Sequence, residues 1–202
     1  MQKELERLRQ QQATFQELQE ENSRLHTLLN LKQKFFPEAV VAQVVALDPS
    51  AEYFSLRINK GSHHGLEPDM PVVARQGLVG KIGPVFKNEA IVLLITDPAS
   101  SVDVIDSRSR LRAILVGAGS KSKTNLRPRF LPRLEYLRSK SDIQSSDWMI
   151  TSGLDGLFPK GLLVGEVSKI DHSRYGIFVN AKVVPFVEFS RLEEVMVLKR
   201  GK

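Results

Sequence analysis

The sequence predicts a mainly β protein: an N-terminal coiled-coil α-helix followed by two small six-stranded antiparallel β-barrels. Three observations carry this. Residues 1 to 34 contain neither Gly nor Pro and are rich in Gln, Glu, Leu and Arg, side chains that lose little freedom in a helix. From Pro37 onward the period changes to short alternating or β-branched runs punctuated by Gly, Pro, Asp and Ser, the pattern of a sandwich or barrel. Those runs number about a dozen, which suits two small barrels better than one large one.

The helix comes first. A heptad with Leu8 at position a places Met1, Leu8, Phe15, Asn22 and Leu29 at a, and Glu4, Gln11, Leu18 and Leu25 at d. An apolar repeat of 3.5 residues keeps one stripe facing a partner helix, and one buried Asn at a fixes register and strand number. The expected dimer seam is therefore Leu8, Phe15, Leu18, Asn22, Leu25 and Leu29. Glu4 and Gln11 weaken its start, so a single amphipathic helix lying on its own domain is the competing reading. At roughly 1.5 Å per residue the helix is a rod near 50 Å long, better suited to a stalk than to a core. Phe35, Phe36 and Pro37 end it, because proline disfavours helix in the residue before it. Met1 occupies a seam position with no cap before it, which suggests that the heptads continue upstream in a longer protein.

Strands are predicted at residues 38–47, 54–59, 71–75, 78–82, 90–95, 102–106 and 112–116, then at 133–137, 148–151, 163–170, 176–184 and 194–198. The expected domains are 1–36 (dimerisation helix), 37–116 (first barrel) and 117–202 (second barrel), with terminal strands able to pair back with the first. The small, polar and basic segment 117–122 reads as the linker. A weak echo hints at duplication: Gly61, Gly65 and the run from Gly77 to Ile82 resemble Gly153, Gly156 and the run from Gly161 to Val167.

Composition removes several function classes. The chain of 202 residues has 42% hydrophobic and 26% charged residues and no cysteine, so a disulfide scaffold, a zinc ribbon, a thiol nucleophile and an iron–sulfur site are excluded. Its apolar runs fall far short of the roughly 18 residues that a spanning helix needs, and no signal peptide is visible. Two barrels and the order His63 or His64, Asp97 or Asp103, Ser152 invite comparison with a chymotrypsin-like serine hydrolase. The serine context Thr151-Ser152-Gly153 lacks the Gly-Asp-Ser-Gly that builds that oxyanion hole. His63 and His64 are adjacent and the other histidines isolated, so no metal site is expected. Gly77 to Gly83 lacks the Gly-Lys-Ser/Thr ending of a phosphate loop. No catalytic, cofactor-binding or metal-ligating residue is assigned.

The formal charge is +6. Residues 121 to 140 hold seven basic side chains and one acid, Glu135, leaving the rest of the chain formally neutral. Arg127, Arg129, Arg133 and Arg138 form the candidate interaction patch. A nucleic-acid-binding barrel is the alternative that this run raises, but its aromatics are few and Pro128 and Pro132 interrupt any recognition helix. A solvated loop and strand edge, blunted by Arg and Pro, is the plainer reading.

The segment Glu21 to Leu29 leading into Ala42-Gln43-Val44-Val45 resembles the bacterial rod-shape-determining MreC family. So do Ile58-Asn59-Lys60-Gly61, Gly77-Leu78-Val79-Gly80-Lys81, Leu94-Ile95-Thr96-Asp97 and the tail Leu192 to Leu198. The most specific block is Thr151-Ser152-Gly153 to Phe158-Pro159-Lys160-Gly161, followed by Val164-Gly165-Glu166-Val167. One departure stands out: Ser146-Asp147 occupies a place where the family usually has Gly-Asp, which puts a turn geometry in question. The family also begins with a cytoplasmic tail and a membrane-spanning helix, both missing here. The resemblance implies a non-enzymatic morphogenetic scaffold, periplasmic and anchored in the inner membrane by an upstream helix. It would bind and activate the elongation-specific class B penicillin-binding transpeptidase. It would also associate with itself, with MreD, with the elongation glycosyltransferase and, indirectly, with MreB.

Overall fold

The computed structural model describes residues 2–47, 54–118, 131–138, 142–171 and 178–199. One long helix, α1 (Gln2–Phe35), precedes twelve strands: β1 (Val40–Leu47), β2 (Ser55–Ile58), β3 (Pro71–Ala74), β4 (Gly77–Val85), β5 (Ala90–Leu94), β6 (Ser101–Asp106), β7 (Arg112–Val116), β8 (Arg133–Arg138), β9 (Trp148–Thr151), β10 (Leu163–Asp171), β11 (Phe178–Pro185) and β12 (Glu194–Val197). All twelve predicted strands are present, and they close into two six-stranded antiparallel barrels.

The assignment of strands to barrels departs from the sequence boundary at residue 116. The first ring runs β1-β12-β3-β4-β5-β2 and the second β10-β11-β8-β7-β6-β9. Strands β6 and β7, expected in the first barrel, belong to the second, and β12 returns from the far end of the chain to close the first, as the allowance for terminal strands anticipated. The second barrel is thus an insertion between β5 and β12. Closure dictates this: β12 pairs with both β1 and β3, and without it the first sheet would carry two open edges.

The linker expected at 117–122 is corrected for the same reason, since β7 and β8 pair with each other inside one barrel. The chain passes between barrels before β6 and after β11. Gly117 marks close packing on the first of those crossings, where a Cβ would overlap the carbonyl of Asp97. The two barrels do share a strand order, but not the one the glycine echo suggests. Read from β3, the first barrel runs β3-β4-β5-β2-β1-β12 round its ring, which is the order of β6-β7-β8-β11-β10-β9 with the chain circularly permuted. The glycine echo pairs the turn after β2 with that after β9, which hold different places in that shared order.

Two apolar cores explain the continuous hydrophobic runs. Val72, Val79, Val92, Val195 and Val197 fill the first barrel with Leu56, Ile58 and Ile82. Their strand neighbours Val73, Leu78, Met196 and Leu198 join a second core that continues through Leu115, Leu134, Met149 and Val183 into the other barrel. Strands β3 and β12 are therefore buried on both faces and lose the polar alternation of a half-exposed strand. The β3–β4 hairpin tip abuts the start of β10: Gly77 has φ +150, and a Cβ there would lie 2.4 Å from the carbonyl oxygen of Leu163. Leu28 and Ala39 seat the base of α1 on the same core.

The turn before β9 answers the Ser146 question. Ser146 adopts φ +71, the left-handed region that glycine enters freely and that costs other L-residues about 1 to 2 kcal/mol. Ser146→Gly should therefore stabilise the fold by about 0.5 to 1 kcal/mol, because glycine's extra unfolded-state entropy returns part of the gain. A calorimetric melting temperature that stays level or falls would refute the strain.

Asp147 beside it is buried and accepts two hydrogen bonds from Arg108, at 2.8 Å from Nε and 2.8 Å from Nη2, and a third from the Gln144 amide at 2.8 Å. Arg108 also reaches Asp142 at 2.9 Å. The Arg108 guanidinium holds the Asp147 carboxyl below its ordinary value, outweighing the opposing effect of burial. A depressed carboxylate stabilises the fold above its unfolded pKa, near 3.8, and that stabilisation is lost as pH falls through the lower folded value. Asp147→Asn should cost about 2 to 3 kcal/mol at pH 7 and flatten the fall in stability below about pH 4. Urea midpoints for both proteins from pH 7 to 2.5 would test it, and parallel pH profiles would rule it out.

Candidate functional site

The stalk, its base and the outer faces of the barrels are the surfaces with something to offer a partner. Along α1, Phe15 is 60% and Leu18 56% exposed, and Asn22 and Leu29 are also exposed. The Leu8 side chain lies outside the described positions. A different stripe, Arg24, Leu28 and Leu31, turns toward the barrels, with Leu28 only 4% exposed and Leu31 packed on the core. With 3.6 residues per turn, the two stripes lie roughly 130° apart. Leu25, half-buried, stands between them. The helix-on-domain reading therefore describes the last turns of α1, while Phe15, Leu18, Asn22 and Leu29 of the predicted seam face away from the barrels.

Arg24 clasps the stalk base to the first barrel. Its guanidinium meets Glu193 at 2.5 Å, Glu194 at 3.4 Å and Glu17 at 3.5 Å. Glu194, at the first position of β12, is buried, and that burial pushes its carboxyl above the ordinary value, with Glu193 and Glu21 adding to the rise and Arg24 opposing it. The clasp sits in a cleft between helix and barrel that also carries Arg75, Gln76 and Arg191. Nothing in the heptad pattern marks Arg24 as a clasp, since its barrel partners Glu193 and Glu194 are about 170 residues away in sequence.

The second barrel carries an exposed aromatic face that sequence reading missed. Trp148, half exposed, packs edge-on against Phe186 with ring centroids 5.5 Å apart. Glu166 pairs on one side with Trp148 and on the other with Val184, so exposed Val184 lies two strands from the indole. The available signal was alternation: in Trp148-Met149-Ile150-Thr151, Met149 and Thr151 are buried, so Trp148 must point outward.

The basic patch is only partly visible. Arg127 and Arg129 lie outside the described residues, and Arg138 belongs to β8 with its side chain undescribed. Arg133 faces solvent and pairs with Glu135 at 2.7 Å.

The hydrolase candidates take structural roles. The Ser152 hydroxyl oxygen accepts the Leu154 amide at 3.2 Å. Asp97 accepts the amides of Phe54 and Ala99, and Asp103 contributes its backbone carbonyl to the Ser152 amide. His63 and His64 lie in a short 3-10 turn, where His64 Nδ1 accepts the Gly61 amide. Among the described residues no hydrogen bond joins these side chains to one another. Thr151 closes the block that follows it, donating to the Pro159 carbonyl and accepting the Leu162 amide. Asp155 accepts the amides of Leu157 and Phe158 within that loop. No helix among the described residues is long and apolar enough to cross a membrane.

Comparison with known proteins places this geometry. Residues 44–199 match the family pattern described as rod shape-determining protein MreC, barrel core. The chain is 33% identical over 196 residues to the cell shape-determining protein MreC of Caulobacter vibrioides, covering 96% of this chain and 52% of that protein. It superposes on a solved MreC chain with a TM-score of 0.80 at 31% identity, covering 90% of this chain and 99% of that one. A Helicobacter pylori MreC, solved in complex with the penicillin-binding protein PBP2, shares the fold with a TM-score of 0.59 at 20% identity, over 80% of this chain and 98% of that one. The chain spans about half the length of the Caulobacter relative. Sequence pattern, barrel topology and identity along nearly the whole chain agree, and the chain belongs to the MreC family of rod shape-determining proteins.

Proposed function

We propose that this chain is the extracytoplasmic part of a morphogenetic scaffold that pairs through α1 and holds a class B penicillin-binding transpeptidase of cell-wall elongation in an active arrangement on its barrels. Membership of a cell-shape family carries the scaffold role, and the complex of Helicobacter pylori MreC with PBP2 supports this class of partner. Contact with MreD, the elongation glycosyltransferase and, indirectly, MreB belongs to the same reading, as does anchoring in the inner membrane by an upstream helix. The exposed Trp148 and Val184, with half-buried Phe186 against the indole, supply an aromatic anchor of the kind that dominates protein interfaces. The chain should bind the extracytoplasmic domain of its cognate transpeptidase in calorimetry, and Trp148→Ala should weaken that binding at least tenfold. Absence of binding by the unaltered chain would overturn the proposal.

A further inference from the structure

Between the two barrels lies a crevice of about 400 Å³ that the scaffold reading leaves unused. Its apolar lining is shared: Pro71 and Leu198 come from the first barrel, Leu157 and Phe158 from the loop after β9. Leu198 and Phe158 are each 3% exposed, so this wall is part of the core where the barrels meet. The charged residues lining it are Lys160 of the second barrel and Lys199 of the first. Both are exposed, and among the described residues neither makes a carboxylate contact and no acidic side chain lines the crevice.

Each lysine lies beside a glycine. A Cβ on Gly153 would fall 2.9 Å from the Lys160 Cβ, so the lysine backbone lies against the glycine. The Lys199 ammonium lies over Gly65, 3.0 Å from where a Cβ would be. Thr151 and Asp155 pin the intervening loop through the bonds described above. Ser152 also lines the crevice. Its oxygen accepts the Leu154 amide, which leaves the hydroxyl proton available to an acceptor. A buried apolar wall, two cations with no counter-charge among the described residues and one hydroxyl donor match an extended peptide that carries an apolar side chain flanked by carboxylates.

We propose that this crevice is a docking site for an acidic, apolar peptide segment of a partner protein, with Lys160 and Lys199 pairing its carboxylates across the junction of the barrels. Such a ligand would bridge the barrels, because its two ion pairs come from different ones. The site is separate from the Trp148 face and does not depend on the transpeptidase being the partner.

The test uses the whole chain, isotope-labelled for NMR, titrated with the capped peptide Glu-Leu-Glu, with its neutral counterpart Gln-Leu-Gln, and with inorganic phosphate. The acidic peptide should bind about tenfold more tightly than the neutral one, as two partly exposed ion pairs allow. Its shift changes should centre on Ser152, Gly153 and Leu198, and Lys160→Glu with Lys199→Glu should abolish that preference. Lys160→Met with Lys199→Met gives a charge-neutral check, and an unchanged melting temperature shows that either pair of changes leaves the fold intact. Equal binding of both peptides, binding that survives charge reversal, shifts centred on residues 121–140, or binding of phosphate alone would each overturn the proposal. A transpeptidase domain that still binds the charge-reversed chain would separate this site from the scaffold interaction.

Discussion

A chain ending at Glu193 is expected to lose its first barrel altogether, although the deletion removes less than a tenth of the sequence from the end farthest from β1. Strand β12 lies between β1 and β3. It contributes Val195 and Val197 to the barrel interior, and Met196, followed by Leu198, to the core between barrels. Each buried aliphatic side chain is worth about 1.5 to 3 kcal/mol. Losing four of them approaches or exceeds the whole stability of an ordinary domain, about 5 to 15 kcal/mol. Two ladders are lost as well, and two unpaired edges appear. Val195→Asp makes the same point in the full chain, because an unpaired carboxylate inside the barrel cannot be solvated. Hydrogen exchange is the measurement: amides of β1 to β5 should lose protection in both proteins. Protected amides in those strands after the truncation would show that the first barrel closes without β12.

Charge placed in the stalk seam should separate the chains while leaving the barrels intact. Phe15 and Leu18 lie on the exposed stripe of α1, more than a turn before the docked residues, so replacing both with Glu removes no contact with the barrels. In a parallel pair the four new carboxylates would face one another where four apolar side chains had been buried. Losing that burial alone weakens association at least a hundredfold. Sedimentation equilibrium should find a dimer for the unaltered chain and a monomer for Phe15→Glu with Leu18→Glu, with the barrel melting transition unchanged. Leu28→Glu should do the reverse, lowering the melting temperature through the core at the stalk base. A double variant that still sediments as a dimer would move self-association away from the helix.

Leu25 shows why the structure alters the design of that experiment. Heptad spacing places it in the seam with Leu18, but its position beside Leu28 leaves it half-buried at the stalk base, where a charge would disturb seam and docking together. Periodicity along one helix identifies a stripe; it does not tell which of two bodies the stripe meets. Arg24 makes the same case for charge. Its partners Glu193 and Glu194 come from the end of the chain, and no local pattern links them.

The elements themselves were legible because their causes are local. Absence of Gly and Pro over 34 residues, the stop at Pro37 and β-branched runs between turn residues act within one turn or one strand, and all twelve strands fall where those signals put them. Ser146, too, carried a readable warning, since a residue standing in a glycine's place must either strain or rearrange the turn, and here it takes the left-handed conformation. Membership of strands in barrels was not legible. Composition cannot say that β12 returns past the whole second barrel to close the first, because closure is satisfied by any strand with two buried faces and the right register. Val72-Val73 and Val195-Met196-Val197 read as buried strands in either barrel. The sequence by itself determined a stalk, twelve strands, the lack of cysteine chemistry and a charge surplus confined to residues 121–140. Only the tertiary structure decided the boundary between barrels, the clasp at Arg24, the packing of Trp148 on Phe186 and the crevice between Lys160 and Lys199, because each depends on contacts between residues far apart in the chain.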